Sequence, residues 1–212
     1  MGAVLPPAFY ARPTLQVARE LVGKVLVHAA PAGTAAGMIV EVEAYSGESD
    51  PACHAATGFT RRNAPLYGPP GLAYVYVNYG LHHLVNAVTE PEGAPAAVLI
   101  RALEPLAGLP LMRNRRAAAG RALPAAALCR GPGNLTSALG ITLEQNRVDL
   151  SGERLFIEDR GLPPPRLAWS PRIGVSVGAD RPWRCCAAGN PHLSKPVWGC
   201  APSPRRPLAG TP

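Results

Sequence analysis

The clearest alternation of apolar and polar positions lies between residues 38 and 45, in the run MIVEVEAY. Its β-branched residues favour a strand, and a two-residue period places Glu41, Glu43 and Tyr45 on one face. The run indicates a buried strand; the alternative is a strand half-exposed to solvent, which is the ordinary setting for two carboxylates on one face. We predict a central strand over residues 36–45 that presents Glu43 and Tyr45 at its far end.

A second alternating stretch, GLAYVYVNYGLHHLVN, covers residues 71–86. It predicts a strand over residues 71–77, a turn at Tyr79 and a return strand over residues 84–88. Three of the chain's six tyrosines fall in this stretch. Aromatic faces beside a carboxylate can hold a planar heterocycle by stacking, so the two stretches together suggest a pocket for a base.

Weaker patterns predict the rest of the fold. The further elements are a helix over residues 13–21, strands over 24–28, 96–103, 155–158 and 172–177, a helical region over 106–112, and a loop entering a helix over 131–140. Residues 1–9 are predicted to be a loose lead-in. Residues 46–70 have little periodicity, and long loops inside compact domains are often functional.

Arg101 stands in the otherwise apolar run of residues 96–103. A buried arginine needs a partner, so this residue predicts an acidic neighbour. No repeat or linker divides the chain. We expect one domain over residues 1–200 and a disordered tail, rich in proline and arginine, over residues 201–212.

Composition and charge narrow the class of partner. The 212 residues are 47% hydrophobic and 17% charged, which is typical of a folded domain. The net charge of +7 favours an anionic partner, and nucleic acid is the commonest one for a small basic domain. The basic run at residues 113–121 leaves two interpretations open, a solvated helix face and a DNA contact.

Cysteine usage and hydropathy predict a reduced, cytoplasmic protein with no membrane partner, associated with the nucleoid if it is bacterial. Five irregularly spaced cysteines fit neither a disulfide framework nor a zinc site of the CxxC type. His54 follows Cys53 and could suggest a metal ligand, but the His-x-Glu and Cys-x-x-Cys pattern of zinc deaminases is absent. We predict no metal and no cofactor.

Several motifs resemble those of the alkyladenine (methylpurine) DNA glycosylases of the mammalian type. In chain order they are VEVEAY at 40–45, His54, TRRN at 60–63, GPPG at 68–71, YVYVNYG at 74–80, Asn86, LIRALEP at 99–105, GPGNL at 131–135 and SPRIGVS at 170–176. With this resemblance, the predicted fold is a single α+β domain, in which helices flank a curved, mostly antiparallel sheet and a β-hairpin protrudes.

The resemblance implies a monofunctional base-excision enzyme that flips a damaged purine out of duplex DNA and hydrolyses its N-glycosidic bond. Glu43 matches the glutamate that activates water, and Arg101 matches the arginine beside it. The residues that match the enclosure of the flipped base are Tyr45, His54, Tyr76 and Asn86. Asn86 also matches the side chain that disfavours guanine.

The resemblance also implies how the protein contacts DNA. Tyr79 matches the tyrosine that wedges into the minor groove, and the expected backbone contacts are made by Arg61, Arg62, Asn63 and Asn134. Asn134 stands where the family commonly has a basic residue. The expected partner is damaged double-stranded DNA, bound by a monomer.

The main alternative is a non-catalytic nucleic-acid-binding module, of the type found at the C-terminus of formyltransferases. That alternative predicts affinity without turnover. The presence of both Glu43 and Arg101 argues against it, because an acidic residue facing phosphates would repel them.

Overall fold

The computed structural model describes residues 2–117 and 123–197. Seven strands follow one another across the sheet in the order β1-β7-β2-β3-β6-β5-β4, and β9 pairs with β3 and with β8, all antiparallel. The strands are β1 (Ala3–Val4), β2 (Val25–Ala30), β3 (Gly33–Ser46), β4 (Ala73–Asn78), β5 (His82–Val88), β6 (Ala96–Ala107), β7 (Leu155–Asp159), β8 (Leu167–Ser170) and β9 (Arg184–Ala187).

The helices complete a single-domain α+β fold, as predicted. They are α1 (Pro7–Tyr10), α2 (Thr14–Leu21), α3 (Leu109–Arg116), α4 (Ala125–Leu128) and α5 (Pro132–Leu139), with 3₁₀ helices at His54–Thr57, Ala64–Tyr67 and Leu143–Gln145. Val17, Ala18 and Leu21 of α2 are fully buried and belong to the main core. This apolar stripe at helical spacing explains why a short helix is stable here.

The central strand β3 changes partner along one edge. Residues 33–38 pair with β2, whereas residues 41–43 pair with β9, and β6 runs along the other edge. The register with β6 is irregular around Glu41, which marks a β-bulge. Because β9 closes this end of the strand, Glu41 and Glu43 are completely buried. The predicted buried strand is confirmed, and the half-exposed alternative is wrong.

The strand predicted over residues 172–177 is also wrong, since this segment is irregular. Gly174 adopts φ +75° and interrupts the β-branched run. The neighbouring short strands β8 and β9, which the sequence analysis missed, provide the pairing instead. Residues 172–177 therefore form a loop against the end of β3.

Two boundary predictions need correction. Part of the expected lead-in is a strand, because Ala3 and Val4 pair with β7. Strand β6 continues to Ala107, beyond the predicted end, and α3 begins only after Gly108. Gly108 has φ +76°, and a Cβ there would lie 2.4 Å from the carbonyl oxygen of Thr34, so this junction requires glycine.

Two arginines of the basic run form hydrogen bonds to backbone carbonyls within the fold. Arg115 donates to the carbonyl oxygen of Leu139 at 2.7 Å, and Arg116 donates to that of Leu128 at 3.2 Å. Both carbonyls lie at helix C-termini, where a cation is favourable. Arg113 is exposed, while Arg121 and the predicted tail over 201–212 lie outside the described residues. Among the described helices, none has the length and apolar character needed to cross a membrane.

Candidate active site

The site begins at Glu43, near the C-terminal end of β3. Its carboxylate accepts hydrogen bonds from the Tyr45 hydroxyl at 2.8 Å, from Nη1 of Arg101 at 3.2 Å and from the backbone N–H of Ile173 at 2.7 Å. These donors come from three different parts of the chain. They fix the carboxylate in one orientation.

Arg101 on β6 is the predicted partner of Glu43, but it contacts two carboxylates. Its Nε donates to Glu41 at 3.1 Å, while Nη1 donates to Glu43. Desolvation by burial opposes the charge of this guanidinium, yet the carboxylates of Glu43 and Glu41 raise the pKa of Arg101 above its ordinary value. The arginine is therefore a fixed cation beside Glu43.

A cleft of about 360 Å³ opens above this pair, and we call it the base cleft. Its volume falls within the roughly 300–1,000 Å³ typical of small-molecule sites. The lining includes the four predicted pocket residues, Tyr45, His54, Tyr76 and Asn86, together with Arg101, Ile173 and Tyr79. Glu43 lies behind this lining, bonded to three of its residues, Tyr45, Arg101 and Ile173, and we call that part of the lining the cleft floor.

The wall of the base cleft is aromatic. The rings of His54 and Tyr76 lie 4.5 Å apart between centroids, and those of Tyr74 and Tyr76 lie 5.2 Å apart. The Nδ1 atom of His54 shares a hydrogen bond of 2.9 Å with the Tyr74 hydroxyl. Burial, and secondarily the charge of Arg62, lowers the pKa of His54, which favours the neutral imidazole.

Asn86 on β5 forms part of the same wall. It is 4% exposed, and its Nδ2 donates to the carbonyl oxygen of Tyr74 at 2.9 Å. This bond fixes the amide at one position in the base cleft. A ligand must therefore fit around it.

The hairpin of β4 and β5 protrudes beside the base cleft. Tyr79 at its tip is 87% exposed, with φ +49°, a conformation that is uncommon for a residue other than glycine. Leu81 is 80% exposed, and the sequence analysis missed it although an apolar residue directly follows the turn glycine. The hairpin presents two apolar side chains to solvent.

The residues predicted to contact the DNA backbone have different environments. Arg61 and Arg62 are exposed, and Arg62 also donates to the carbonyl oxygen of Val77 at 3.2 Å. Asn134 is half-buried in the first turn of α5 and donates to the carbonyl oxygen of Arg130 at 2.7 Å. The guanidinium of Arg62 lies 5.8 Å from the ring centre of Tyr76 in the wall of the base cleft, and Pro132, two residues before Asn134, lines the cleft.

Asn63 does not have the exposure that a backbone contact requires. It is 2% exposed, and its side chain donates to the carbonyl oxygens of His54 and Gly58, both at 2.8 Å, and accepts from the N–H of Thr60. The prediction of a DNA contact by this side chain is therefore wrong. Asn63 instead holds the loop that carries His54.

The sequence analysis missed a buried ion pair behind the site. Arg172 binds both carboxylate oxygens of Asp50, donates to the carbonyl oxygen of Ala44 at 3.0 Å and stacks its guanidinium 4.6 Å from the ring centre of Tyr45. Arg172 stands in the quoted motif SPRIGVS, which was the available signal. The pair holds the loop after β3 against the loop that contains Ile173.

The cysteines and acidic residues make no metal site within residues 2–117 and 123–197. Cys53, Cys129, Cys185 and Cys186 are buried free thiols. Burial raises the pKa of Cys185 to about 12, and that of Cys186 likewise to about 12. Cys200 lies outside the described residues.

A buried carboxylate and arginine lie against an aromatic cleft, beside an exposed tyrosine, an arrangement that suits an enzyme acting on a planar base. The chain matches the model of the methylpurine-DNA glycosylase family over residues 8–191. It belongs to that family and is a DNA glycosylase, an enzyme that hydrolyses N-glycosidic bonds. The alternative of a non-catalytic binding module is therefore set aside.

Relatives with the same printed name are similar in sequence to most of this chain. A protein of Burkholderia lata named "Putative 3-methyladenine DNA glycosylase" is 49% identical, covering 92% of this chain and 93% of the relative. Proteins of the same name from Rubrobacter xylanophilus and Chlorobium luteolum are 54% and 46% identical, covering 80% and 88% of this chain and 86% and 94% of the relatives. The range matched by the family model, residues 8–191, includes the strands β3, β5 and β6 that form the site.

Proposed function

We propose that the protein is a monofunctional glycosylase that excises alkylated or deaminated purines from duplex DNA, with Glu43 as the base that activates water. The observation that supports this most is the convergence of Tyr45, Arg101 and the Ile173 N–H on Glu43 beneath the base cleft. The attacked sugar carbon would lie at the cleft floor. A water between this carbon and Glu43 would be close to Arg101.

The chemistry requires a carboxylate for two reasons. The transition state of glycosidic hydrolysis resembles an oxocarbenium ion, so a nearby negative charge stabilises it while the same group takes the proton from water. A purine alkylated at N3 or N7 is cationic and leaves readily. Neutral hypoxanthine must gain a proton as it departs, so we expect slower excision of hypoxanthine than of 3-methyladenine.

The aromatic wall suits a flipped base. Tyr45, His54 and Tyr76 present rings to the base cleft, and stacking contributes about 1–3 kcal/mol per base. The fixed amide of Asn86 would disfavour a base with an exocyclic 2-amino group, as guanine has. This arrangement supports selection of 3-methyladenine, hypoxanthine and ethenoadenine, which lack that group. Excision of 7-methylguanine, which carries it, would depend on the ready departure of its cationic base.

Extrusion of the base needs a side chain that fills the gap in the duplex. The exposure of Tyr79 at the tip of a hairpin beside the base cleft supports this role. Arg61 and Arg62 are exposed on the loop before β4 and could neutralise phosphates. We propose that one chain is sufficient, because Glu43, Arg101 and the four predicted pocket residues come together within it.

The positions of the lysines support hydrolysis without strand cleavage. A glycosylase-lyase needs an amine that forms a Schiff base, and the chain has only Lys24 and Lys195. Lys24, directly before β2, pairs with Asp159 at the end of β7, and neither lysine lines the base cleft. The product should be an abasic site.

An end-labelled duplex with one lesion tests the proposal. Wild type and Glu43→Gln are incubated with duplexes containing 3-methyladenine or hypoxanthine, and strand breaks are scored with and without alkali. We expect breaks only after alkali, and none above background with the variant. Breaks without alkali would exclude the monofunctional mechanism, and full activity of Glu43→Gln would exclude Glu43 as the base.

A further inference from the structure

Glu41 is a second buried carboxylate, two residues before Glu43 on β3. Its oxygens accept from Nε of Arg101 at 3.1 Å, from Nε of Arg184 at 2.8 Å and from the backbone N–H and hydroxyl of Ser194, both at 2.6 Å. We call Glu41, Arg101, Arg184 and Ser194 the Glu41 cluster. It joins β3, β6, β9 and the segment after β9.

Arg101 donates hydrogen bonds to two carboxylates. Its Nε donates to Glu41 and its Nη1 donates to Glu43, so two hydrogen bonds fix the orientation of the guanidinium. Without Glu41, the Nε–H would lose its partner and the plane of the guanidinium could rotate about the remaining bond. The hydrogen bond from Nη1 to Glu43 would then lose its defined direction.

The charges in this region also balance. Two carboxylates, Glu41 and Glu43, lie with two guanidinium groups, Arg101 and Arg184, each nearly or fully buried. Removing the charge of Glu41 leaves an excess positive charge next to Glu43. That excess would oppose a positively charged transition state at the cleft floor.

We propose that Glu41 is a positioning residue for base excision, which acts through Arg101 to orient Glu43 and to balance the charge beneath the base cleft. This inference rests on the proposed function of Glu43 and Arg101. It assigns a catalytic consequence to a carboxylate that does not line the base cleft. Arg184 and Ser194 hold Glu41 in turn.

The test compares Glu41→Gln with the matched variant Glu158→Gln. Glu158 is also buried and paired with an arginine, Arg160 at 2.6 Å, but it lies on β7 away from the site. Single-turnover excision of 3-methyladenine is measured at saturating enzyme, and the Kd for an uncleaved lesion analogue is measured separately. Melting by circular dichroism reports the folding of each variant.

We expect Glu41→Gln to slow single-turnover excision by about tenfold to a hundredfold, the range seen when groups behind a site are changed, with Kd within about twofold of wild type. Glu158→Gln should excise at the wild-type rate even if its melting temperature falls. An unchanged rate for Glu41→Gln, or an equal loss in both variants, would overturn the inference.

A double-mutant cycle distinguishes an effect of Glu41 that acts through Arg101 from a general disturbance of the protein structure. If Glu41 acts through Arg101, then Glu41→Gln should slow excision by less than about twofold in an Arg101→Gln background. A full additional loss in that background would contradict the proposed route. If Glu41→Gln does not fold, Glu41→Asp keeps the charge but withdraws the carboxylate from Nε. It should slow excision through the lost orientation alone, and this loss should again nearly disappear in the Arg101→Gln background.

The two proposals fail in different ways. A wild-type protein that excises neither lesion, or an active Glu43→Gln, would contradict the proposed function. An active wild type and an inactive Glu43→Gln, with Glu41→Gln as fast as wild type, would contradict only the role of Glu41.

Discussion

At the scale of single residues, the site depends on how neighbours constrain ordinary side chains. Glu43 has three fixed donors, and His54 is held by Tyr74 on one side and packed on Tyr76 on the other. A neutral imidazole can donate from one ring nitrogen and accept at the other, whereas the protonated ring can only donate. The charge state of His54 therefore decides what it can offer to a base in the cleft.

The first prediction concerns the pKa of His54. Burial lowers this pKa first and the charge of Arg62 second, so Arg62→Gln should raise it towards 6.5 without reaching that value. NMR titration of the ring protons measures the change. The control is Arg61→Gln at the neighbouring position, which should leave the pKa of His54 unchanged. If both variants titrate like wild type, the influence assigned to Arg62 is wrong.

At the scale of elements, the site depends on the change of partner along β3. Strand β2 covers the first part of its edge and β9 the second, and this exchange buries Glu41 and Glu43. The Asp50–Arg172 pair then holds two loops around the end of the strand. Loops held in this way can keep Ile173 and Tyr45 in place against Glu43.

The second prediction tests that ion pair. Asp50→Asn leaves Arg172 buried without its counter-charge, so we expect a loss of about 3–5 kcal/mol in the free energy of unfolding. Excision should also slow, because Arg172 contacts Tyr45 and precedes Ile173. Urea denaturation and single-turnover kinetics measure the two effects.

The control for this prediction is the exposed pair of Arg12 and Glu20, whose side chains are 28% and 40% exposed. Glu20→Gln should change the free energy of unfolding by at most about 1 kcal/mol. If Asp50→Asn were as stable and active as Glu20→Gln, the buried pair would have no structural role.

The sequence predicts the long strands of this site better than the short strands and distant side chains that contact them. Alternation over several residues identified β3 and the β4–β5 hairpin, and the lone arginine in an apolar run indicated that Arg101 needs an acid. The short strands β8 and β9 have four residues each, too few for a clear period. Arg184 and Ser194 reach Glu41 from 143 and 153 residues away, and no local pattern encodes such contacts.

At the scale of the whole molecule, the positively charged residues do not form one uniform surface. Arg115 and Arg116 cap helices and Arg184 is buried with Glu41, so these cations contribute little to contacts with phosphate. Arg61 and Arg62 are both exposed, and Arg62 lies 5.8 Å from the ring centre of Tyr76 in the wall of the base cleft. Arg113 lies on α3, which packs through Leu111 near Gly33 at the start of β3. Ten residues of strand separate Gly33 from Glu43, a distance of roughly 30 Å.

The last prediction uses this separation to decide which arginines bind DNA. The affinity for a lesion duplex, measured by fluorescence anisotropy, should fall with salt, and the slope of log affinity against log salt should decrease by about 0.9 for each lost phosphate contact. Arg61→Gln should reduce the slope by about that amount, and Arg113→Gln should leave it unchanged. An equal reduction in both variants would mean that DNA also reaches α3, whereas affinity independent of salt would exclude phosphate contacts altogether.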